Sequence, residues 1–333
     1  MNSKIMAPLV SILIPAFNAQ KFIAETIRSA TGQTWNRKEV IIVDDGSRDN
    51  TLEVAKSFES SCVKVVSQEN RGAAAARNKA LSMAQGDFIQ WLDADDLLHA
   101  EKLQHQLSDI QASDAMMLHS SEFRRFVRLP DKASRMSNVL FQDLTPKEWL
   151  YLAMANGAWL SPISWLASRQ LTEATGPWDE RLSAGPNDDG EYSSRMVSLS
   201  AGVRFHPNAR CFYRGGTLGT LSSVRSSRAL DALLLSVNLS IDHYLKLERS
   251  ERSAQAAVSF MQYVIDRFDV ADPRVWNRFR DRAEELGGTV TPPRKSVLFT
   301  VARKVLGQPA AAKGKAVLGR AKWIVSAWAE NLR

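Results

Sequence analysis

Cysteine is nearly absent: Cys62 and Cys211 are the only two in 333 residues. Two isolated cysteines give neither a disulfide framework nor a zinc-ligand pattern, which suits a reducing compartment. No run reaches the roughly 18 apolar residues of a membrane-spanning helix. Met1 to Pro8 lacks the apolar core that a signal peptide needs. A cytoplasmic protein is therefore expected. No G-x-G-x-x-G follows the first apolar run, Val10 to Pro15, which disfavours a dinucleotide-dependent dehydrogenase. Internal repeats and long low-complexity stretches are also missing. What remains is ordinary globular composition, 44% hydrophobic and 24% charged, long enough for one large domain with additions or for two domains.

Charge is unevenly placed. The formal net charge is +7, yet residues 294–333 hold nine Lys or Arg and one acid, Glu330. That tail carries +8 and the rest of the chain −1. Within it Val317, Leu318, Ala321, Ile324, Val325 and Trp328 share one helical face, flanked by Lys313, Lys315, Arg320 and Lys322. Trp323 and Trp328 suit a headgroup zone, and each basic residue near an anionic leaflet contributes roughly 1 kcal/mol. The tail is expected to hold the protein peripherally at the inner membrane face; the competing expectation is a helical cap packed on the body. It shows no recognised nucleic-acid motif, so no nucleic-acid partner is expected.

Strand and helix patterns alternate through the first hundred residues. Apolar β-branched runs at Val10–Pro15, Val40–Val43, Val63–Val66 and Phe88–Leu92 are separated by helical patterns at Ala19–Ala30, Asp49–Phe58 and Ala73–Ala84. This is the rhythm of an α/β fold with a mostly parallel sheet flanked by helices. Beyond Ile110 the rhythm changes. Ala115–Phe126 predicts one or two strands, Pro146–Ala155 and Asp188–Leu199 helices, and Val203–His206 and Arg210–Tyr213 two short strands. Residues 226–286 read as helical, with Leu230, Leu233, Leu234, Val237 and Ile241 on one stripe.

Ligands of open α/β sheets bind where parallel strands end. Three such ends carry polar groups: Pro15-Ala16-Phe17-Asn18, Asp44-Asp45-Gly46-Ser47 and Asp93-Ala94-Asp95-Asp96. Clustered carboxylates repel unless a cation sits between them, and hard oxygen ligands favour Mg²⁺ or Mn²⁺. A plainer reading of the last cluster is a solvated acidic turn that starts a helix at His99, with Asp96 as its N-terminal charge. Arg77 would be a cationic or planar hydrogen-bonding group near these ends, or an ordinary solvated helix arginine.

In their order and spacing, VSILIPAFN, VIIVDDGSRDNT, ENRGAAAARNKAL and GDFIQWLDADD resemble the nucleotide-binding half of family 2 glycosyltransferases with the GT-A fold. The resemblance covers roughly residues 8–215. It implies a GT-A domain over 8–225, divided into a nucleotide-binding half (8–110) and an acceptor half (111–225), and a helical carboxy-terminal extension over 226–333. Pro15, Ala16, Phe17 and Asn18 would line the nucleotide pocket, and Asp44 or Asp45 would bind the base with Arg77 nearby. Asp93-Ala94-Asp95 corresponds to the family's DXD motif: Asp93 would touch ribose or metal, and Asp95 would ligate the divalent ion. Trp178-Asp179-Glu180 stands at the turn before the family's distal acidic motif. There Asp188-Asp189 replaces the usual Glu-Asp, putting the general base on Asp189 with Asp188 as the alternative. The plainer reading of that pair is a helix N-cap.

The resemblance implies an inverting, metal-dependent transfer of one sugar from a nucleoside-diphosphate sugar, UDP-sugar favoured, to a glycan or lipid-linked acceptor in envelope polysaccharide or glycoconjugate synthesis. The Gln-x-x-Arg-Trp motif of the family's processive synthases is absent, and Tyr213-Arg214 is followed by Gly215-Gly216 without the histidine often found there. A sugar-nucleotide nucleotidyltransferase would carry a glycine- and basic-rich loop at the first strand, and Pro15-Ala16-Phe17-Asn18 has neither. A non-catalytic nucleotide-sugar-binding protein would have no need of Asp93, Asp95 and Asp189 together.

Overall fold

The four early apolar runs become strands β1 (Val10–Ala16), β2 (Lys38–Asp44), β3 (Val63–Ser67) and β4 (Phe88–Trp91) in a computed structural model. It describes residues 7–293 apart from 109, 112–113, 216–225 and 271, so the basic tail expected over 294–333 lies outside the described residues. All four strands run parallel in the order β3-β2-β1-β4. Ile12, Leu13, Ile14 and residues 40–43 are fully buried, each such side chain contributing about 1.5–3 kcal/mol. Continuous rather than alternating apolar runs follow from burial on both faces. Between the strands lie α1 (Ile23–Thr31), α2 (Thr51–Lys56) and α3 (Ala73–Met83). Because the strands are parallel and in register, with Ala16 opposite Asp44 and Leu13 opposite Trp91, their polar ends gather on one edge.

The sheet then turns mixed. The remaining strands are β5 (Leu97–Leu98), β6 (Met117–Phe126), β7 (Ser134–Arg135), β8 (Leu166–Ser168) and β9 (Gly202–Arg214). They complete a nine-stranded sheet ordered β3-β2-β1-β4-β8-β6-β9-β5, with β7 paired to β6. Two expectations need correction. The two short strands over Val203–Tyr213 are one strand, β9, whose register on β6 shifts between Ser121 and Glu122. Pro207, which offers no N–H to a ladder, falls in that shift, so a proline that reads as a break is a bulge. No helix starts at His99 either: Leu97 and Leu98 pair with β9, and α4 begins later, at Lys102–Leu107.

The helices of the second half are α5 (Pro146–Asn156), α6 (Arg169–Thr175), α7 (Asp188–Leu199), α8 (Ser227–Leu247), α9 (Glu251–Phe268) and α10 (Pro273–Glu285). Local chemistry sets their starts. The Thr145 hydroxyl accepts from the Glu148 N–H with Pro146 in the first turn, Ser250 and Ser253 form a reciprocal capping box, and Asp272 caps α10. The expected stripe Leu230, Leu233, Leu234, Val237 and Ile241 is buried, and one hydrophobic cluster runs from Val10 in β1 to Val290 beyond α10. No described helix is long and apolar enough to cross a membrane.

One polar group inside the apolar run of β4 carries a stability consequence. Buried Gln90 accepts from the ammonium of buried Lys102, which also donates to Gln106. Burial lowers the Lys102 pKa to about 8 from its ordinary 10.5. Between those values the unfolded chain binds more protons than the folded one, so this lysine adds stability as pH rises and loses it as pH falls through about 8. The stability of wild type minus that of Lys102→Met, from urea unfolding, should therefore rise by about 2–3 kcal/mol between pH 7 and pH 10. Parallel pH profiles would show that the lysine is charged at no such cost.

Candidate active site

The amino-terminal strand ends are zipped together by their own loops. Asn18, at φ 50°, donates its N–H to Ser47 Oγ at 2.9 Å and accepts from the Arg48 N–H at 2.8 Å. Gly46 takes φ +70°, and a Cβ there would stand 2.9 Å from the Asn70 nitrogen, so glycine alone fits. Asp45 accepts from Gln68 Nε2, the Arg71 N–H and the Gly72 N–H, which closes the 68–72 loop over the site. Asp44 accepts from the Ser47 N–H and Ser67 Oγ, and its buried Oδ1 has no partner. An ionised carboxylate has about four acceptor positions, so each aspartate keeps capacity for a ligand N–H or hydroxyl. Phe17 is 47% exposed beside them, a large apolar side chain on the surface of the pocket.

At the end of β4, residues 93–96 form a tight turn in which the Asp96 N–H donates to the Asp93 carbonyl at 3.1 Å. The Thr26 hydroxyl lies 3.0 Å from the carbonyls of both Ala94 and Asp96 and ties the turn to α1. Arg214, at the end of β9, donates Nε to the Asp95 carbonyl and its backbone N–H to Asp96 Oδ1, both at 2.7 Å. Its guanidinium lies between the rings of Phe22 and Phe126 and pairs with Glu25 at 2.6 Å. Asp96 is thus buried and structural, while Asp93 and Asp95 are partly exposed. Burial first, then the charges of Asp95 and Asp93, push the Asp96 carboxyl well above the usual carboxylate range.

Arg77 joins this turn to the distal acidic pair. One guanidinium arm donates to Asp93 Oδ1 at 3.0 Å and the other to Asp188 Oδ2 at 2.7 Å. The cation sits 4.2 Å from the Trp178 ring, which stacks at 3.9 Å on Tyr192 of α7. Asp188 and Asp93 together outweigh burial and raise the Arg77 pKa. The solvated-arginine reading is set aside, since Arg77 is 6% exposed. The capping reading of Asp188-Asp189 is also set aside: the residue before α7 is Asn187, and both aspartates lie inside its first turn. Asp188 is committed to Arg77, whereas Asp189 makes no ion pair among the described residues. Removal from water, then the charge of Asp188, push the Asp189 pKa up to about 7 against the pull of Arg77. A carboxylate poised near neutrality is suited to general-base work.

A metal position is only partly built by protein groups. Among the described residues no three His, Cys, Asp or Glu side chains converge on one point. Mg²⁺ and Mn²⁺ need only one or two carboxylates when a substrate phosphate and water complete the shell. Asp93 and Asp95, partly exposed at the end of β4, are the two carboxylates that could serve such an ion. Sequence reasoning missed Arg214, Glu25 and Thr26, because their role is set by long-range packing that no local motif records.

Residues 11–153 match the family Glycosyl transferase family 2. The chain carries a family 2 glycosyltransferase domain. Its relatives include TuaG of Bacillus subtilis, a putative teichuronic acid biosynthesis glycosyltransferase. TuaG is 43% identical over 103 residues, covering 30% of this chain and 41% of that protein. WfgD of Escherichia coli, a UDP-Glc:α-D-GlcNAc-diphosphoundecaprenol β-1,3-glucosyltransferase, is 44% identical over 101 residues, 30% of this chain and 40% of WfgD. The chain thus spans about two fifths of the length of these relatives. Residues 1–349 of S. aureus TarS, crystallised with UDP-GlcNAc, share the fold at a TM-score of 0.66 and 18% identity, over 84% of this chain and 82% of that one. The architecture is accordingly GT-A.

Removing the Arg77 charge should expose its structural share. In Arg77→Met, Asp188 is left buried without its counter-charge, at a cost of about 3 kcal/mol or more. Uncompensated carboxylates are held protonated by folding, so the loss should be small near pH 5 and grow toward pH 8. Denaturant unfolding at both values checks this; an equal loss at both would mean that lost packing on Trp178 dominates.

Proposed function

We propose that this protein is an inverting glycosyltransferase that moves one sugar from a nucleoside-diphosphate sugar to an acceptor hydroxyl in envelope polysaccharide or glycoconjugate synthesis. The observation that carries the proposal is the Arg77 bridge: it fixes Asp93, at the donor end of the crevice, relative to Asp188 and the neighbouring Asp189. The family domain and the biosynthetic roles named for TuaG and WfgD support the class, and the UDP-GlcNAc in TarS supports a UDP-sugar donor.

In this reading Pro15, Ala16, Phe17 and Asn18 line the nucleotide pocket, and Asp44 or Asp45 accepts from the base. Asp93 and Asp95 would hold Mg²⁺ or Mn²⁺, whose charge would offset that of the departing diphosphate. Asp189 takes the proton of the acceptor hydroxyl as that oxygen attacks the anomeric carbon. The bond from that carbon to the diphosphate oxygen breaks on the opposite face, which inverts the centre and releases the nucleoside diphosphate. A positioned base of this kind contributes roughly 10²–10⁴ in rate. The protein works from the cytoplasmic side of the membrane, with residues 294–333 as its membrane contact; flotation on anionic against neutral liposomes tests that placement.

Screening UDP-, GDP- and dTDP-sugars for nucleotide release with Mg²⁺ or Mn²⁺ identifies the donor. With it, Asp189→Asn should cut turnover by about 10² or more and leave UDP affinity within about twofold, because the base acts on the acceptor. Wild-type turnover should fall about tenfold per unit below pH 7, where Asp189 is protonated. If UDP affinity collapses with the rate, Asp189 belongs to the donor site. Should Asp188→Asn alone stop turnover without unfolding the protein, the two neighbours have exchanged roles. Chelation or Asp95→Ala should weaken UDP binding by about tenfold or more; unchanged binding would remove the cation from the scheme.

A further inference from the structure

Asp189 also lies on the wall of a cavity of about 130 Å³ between α5 and α9. Six aromatic side chains are among its other walls: Trp149, Trp159, Tyr213, Phe260, Tyr263 and Phe268. A cavity of about 150 Å³ takes up a benzene ring, so this one has room for a single six-membered ring. Tyr213, one residue before Arg214 at the end of β9, is part of the wall. Gly157, at φ +58°, lets the Tyr263 ring lie where a Cβ would come within 2.4 Å of it. That wall is shaped by glycine rather than left by loose packing.

Two cations at or beside the cavity form no ion pair among the described residues. Arg267 lines it, with its guanidinium 5.9 Å from the Tyr263 ring centre and 5.6 Å from that of Phe268. Arg125 of β6 lies beside two of the cavity's rings, 5.6 Å from the Tyr213 ring centre and 6.0 Å from that of Trp159. Neither forms an ion pair or donates a hydrogen bond among the described residues, and Arg125 Nε is buried with no partner. Most other arginines around the site are paired: Arg77 with Asp93 and Asp188, Arg195 with Glu191, Arg214 with Glu25. Arg267 is among the charges that act on Arg125 and, after burial, disfavours its protonated form. Like charges held near each other over apolar rings are costly unless an anion joins them.

We infer that this cavity receives the acceptor as a sugar ring bearing an oxyanion, with the ring stacked among Trp159, Tyr213 and Tyr263 and the oxyanion held by Arg125 and Arg267. The C–H face of a sugar is attracted to the negative face of an aromatic ring, and guanidinium forks match phosphate and carboxylate oxygens. The ring's hydroxyl then lies against Asp189, which lines the same space. This assignment rests on the proposed function for the word acceptor; the binding chemistry stands on the cavity alone.

The test uses the full chain, with and without saturating UDP and Mg²⁺, titrated by ligand-observed NMR with glucose 1-phosphate, glucuronate and glucose. The wild type should bind at least one charged probe about tenfold or more tighter than glucose, UDP leaving that preference intact. A phosphate-only preference identifies a phosphorylated acceptor, and a glucuronate preference a uronic acid. Arg267→Gln, an exposed position that should not disturb folding, and Arg125→Gln should each erase the preference about tenfold while UDP affinity stays unchanged. Equal binding of charged and neutral probes, no binding of any probe, or full retention of the preference in both variants would overturn the inference. Failure of UDP to bind would count against the donor reading instead, since the probe titrations without UDP are scored separately.

Discussion

The site depends on one buried guanidinium with two acidic partners from distant parts of the chain. Arg77 is planar, permanently charged and forked, so one arm reaches Asp93 at the end of β4 and the other Asp188 at the start of α7. A lysine ammonium has no such fork and could not hold both partners in a fixed plane. The aromatic cluster repeats the connection: Trp178 takes the cation on its face, Tyr192 of α7 stacks on Trp178, and both rings meet Trp91 of β4 edge-on. Ion pair and ring stack thus join the same two elements.

The start of α7 is held from its far side as well. Asn187 adopts a left-handed conformation at φ 76°, and Ser236 of α8 bonds both its carbonyl and its side-chain amide. Gly190 leaves room for the Asn187 side chain, which a Cβ would meet at 2.5 Å, and Gly185 lets the preceding turn lie against Ala232 of α8. One turn further on, Glu191 accepts from His243 of α8 and from Arg195, which also donates to the carbonyls of Thr175 and Pro177. The helices after residue 226 are therefore part of what fixes Asp189. Their shared core with β1 makes the same point in apolar terms.

Legibility in the sequence followed locality. The four parallel strands and the polar groups at their ends were readable because a doubly buried strand is a short continuous apolar run, and its end is marked by the first polar residues. Helix α7 was readable to the residue, Asp188 to Leu199, since its start and its apolar spacing are both local signals. The continuous strand β9 was not, because Pro207 has the same signature in a bulge as in a turn. Strands β5 and β8 are two and three residues long and carry no periodicity at all. The different environments of Asp188 and Asp189 were not legible either: adjacent carboxylates look alike in a sequence until a partner 111 residues away claims one of them. Arg214 and the aromatic cavity were invisible for the same reason, being products of β9, α5 and α9 meeting in space.

Charge is divided across the crevice by how each arginine is spent. Arg214 organises the 93–96 turn through a carbonyl, a backbone N–H and one Asp96 oxygen, while its own charge is answered by Glu25. It therefore shapes the acidic turn without neutralising it, and burial, reinforced by the negative field of Asp95 and Asp93, raises the Asp96 pKa well above its ordinary range. Arg77 offsets part of that field and passes the rest of its charge to Asp188. On the other side of Asp189, Arg125 and Arg267 are left unanswered over aromatic rings. Asp189 thus stands between an acidic turn and a basic cavity, and its proton affinity near neutrality is set mainly by burial and Asp188 rather than by either extreme. In the proposed reading a donor diphosphate with its cation would meet the first side, and an anionic acceptor the second.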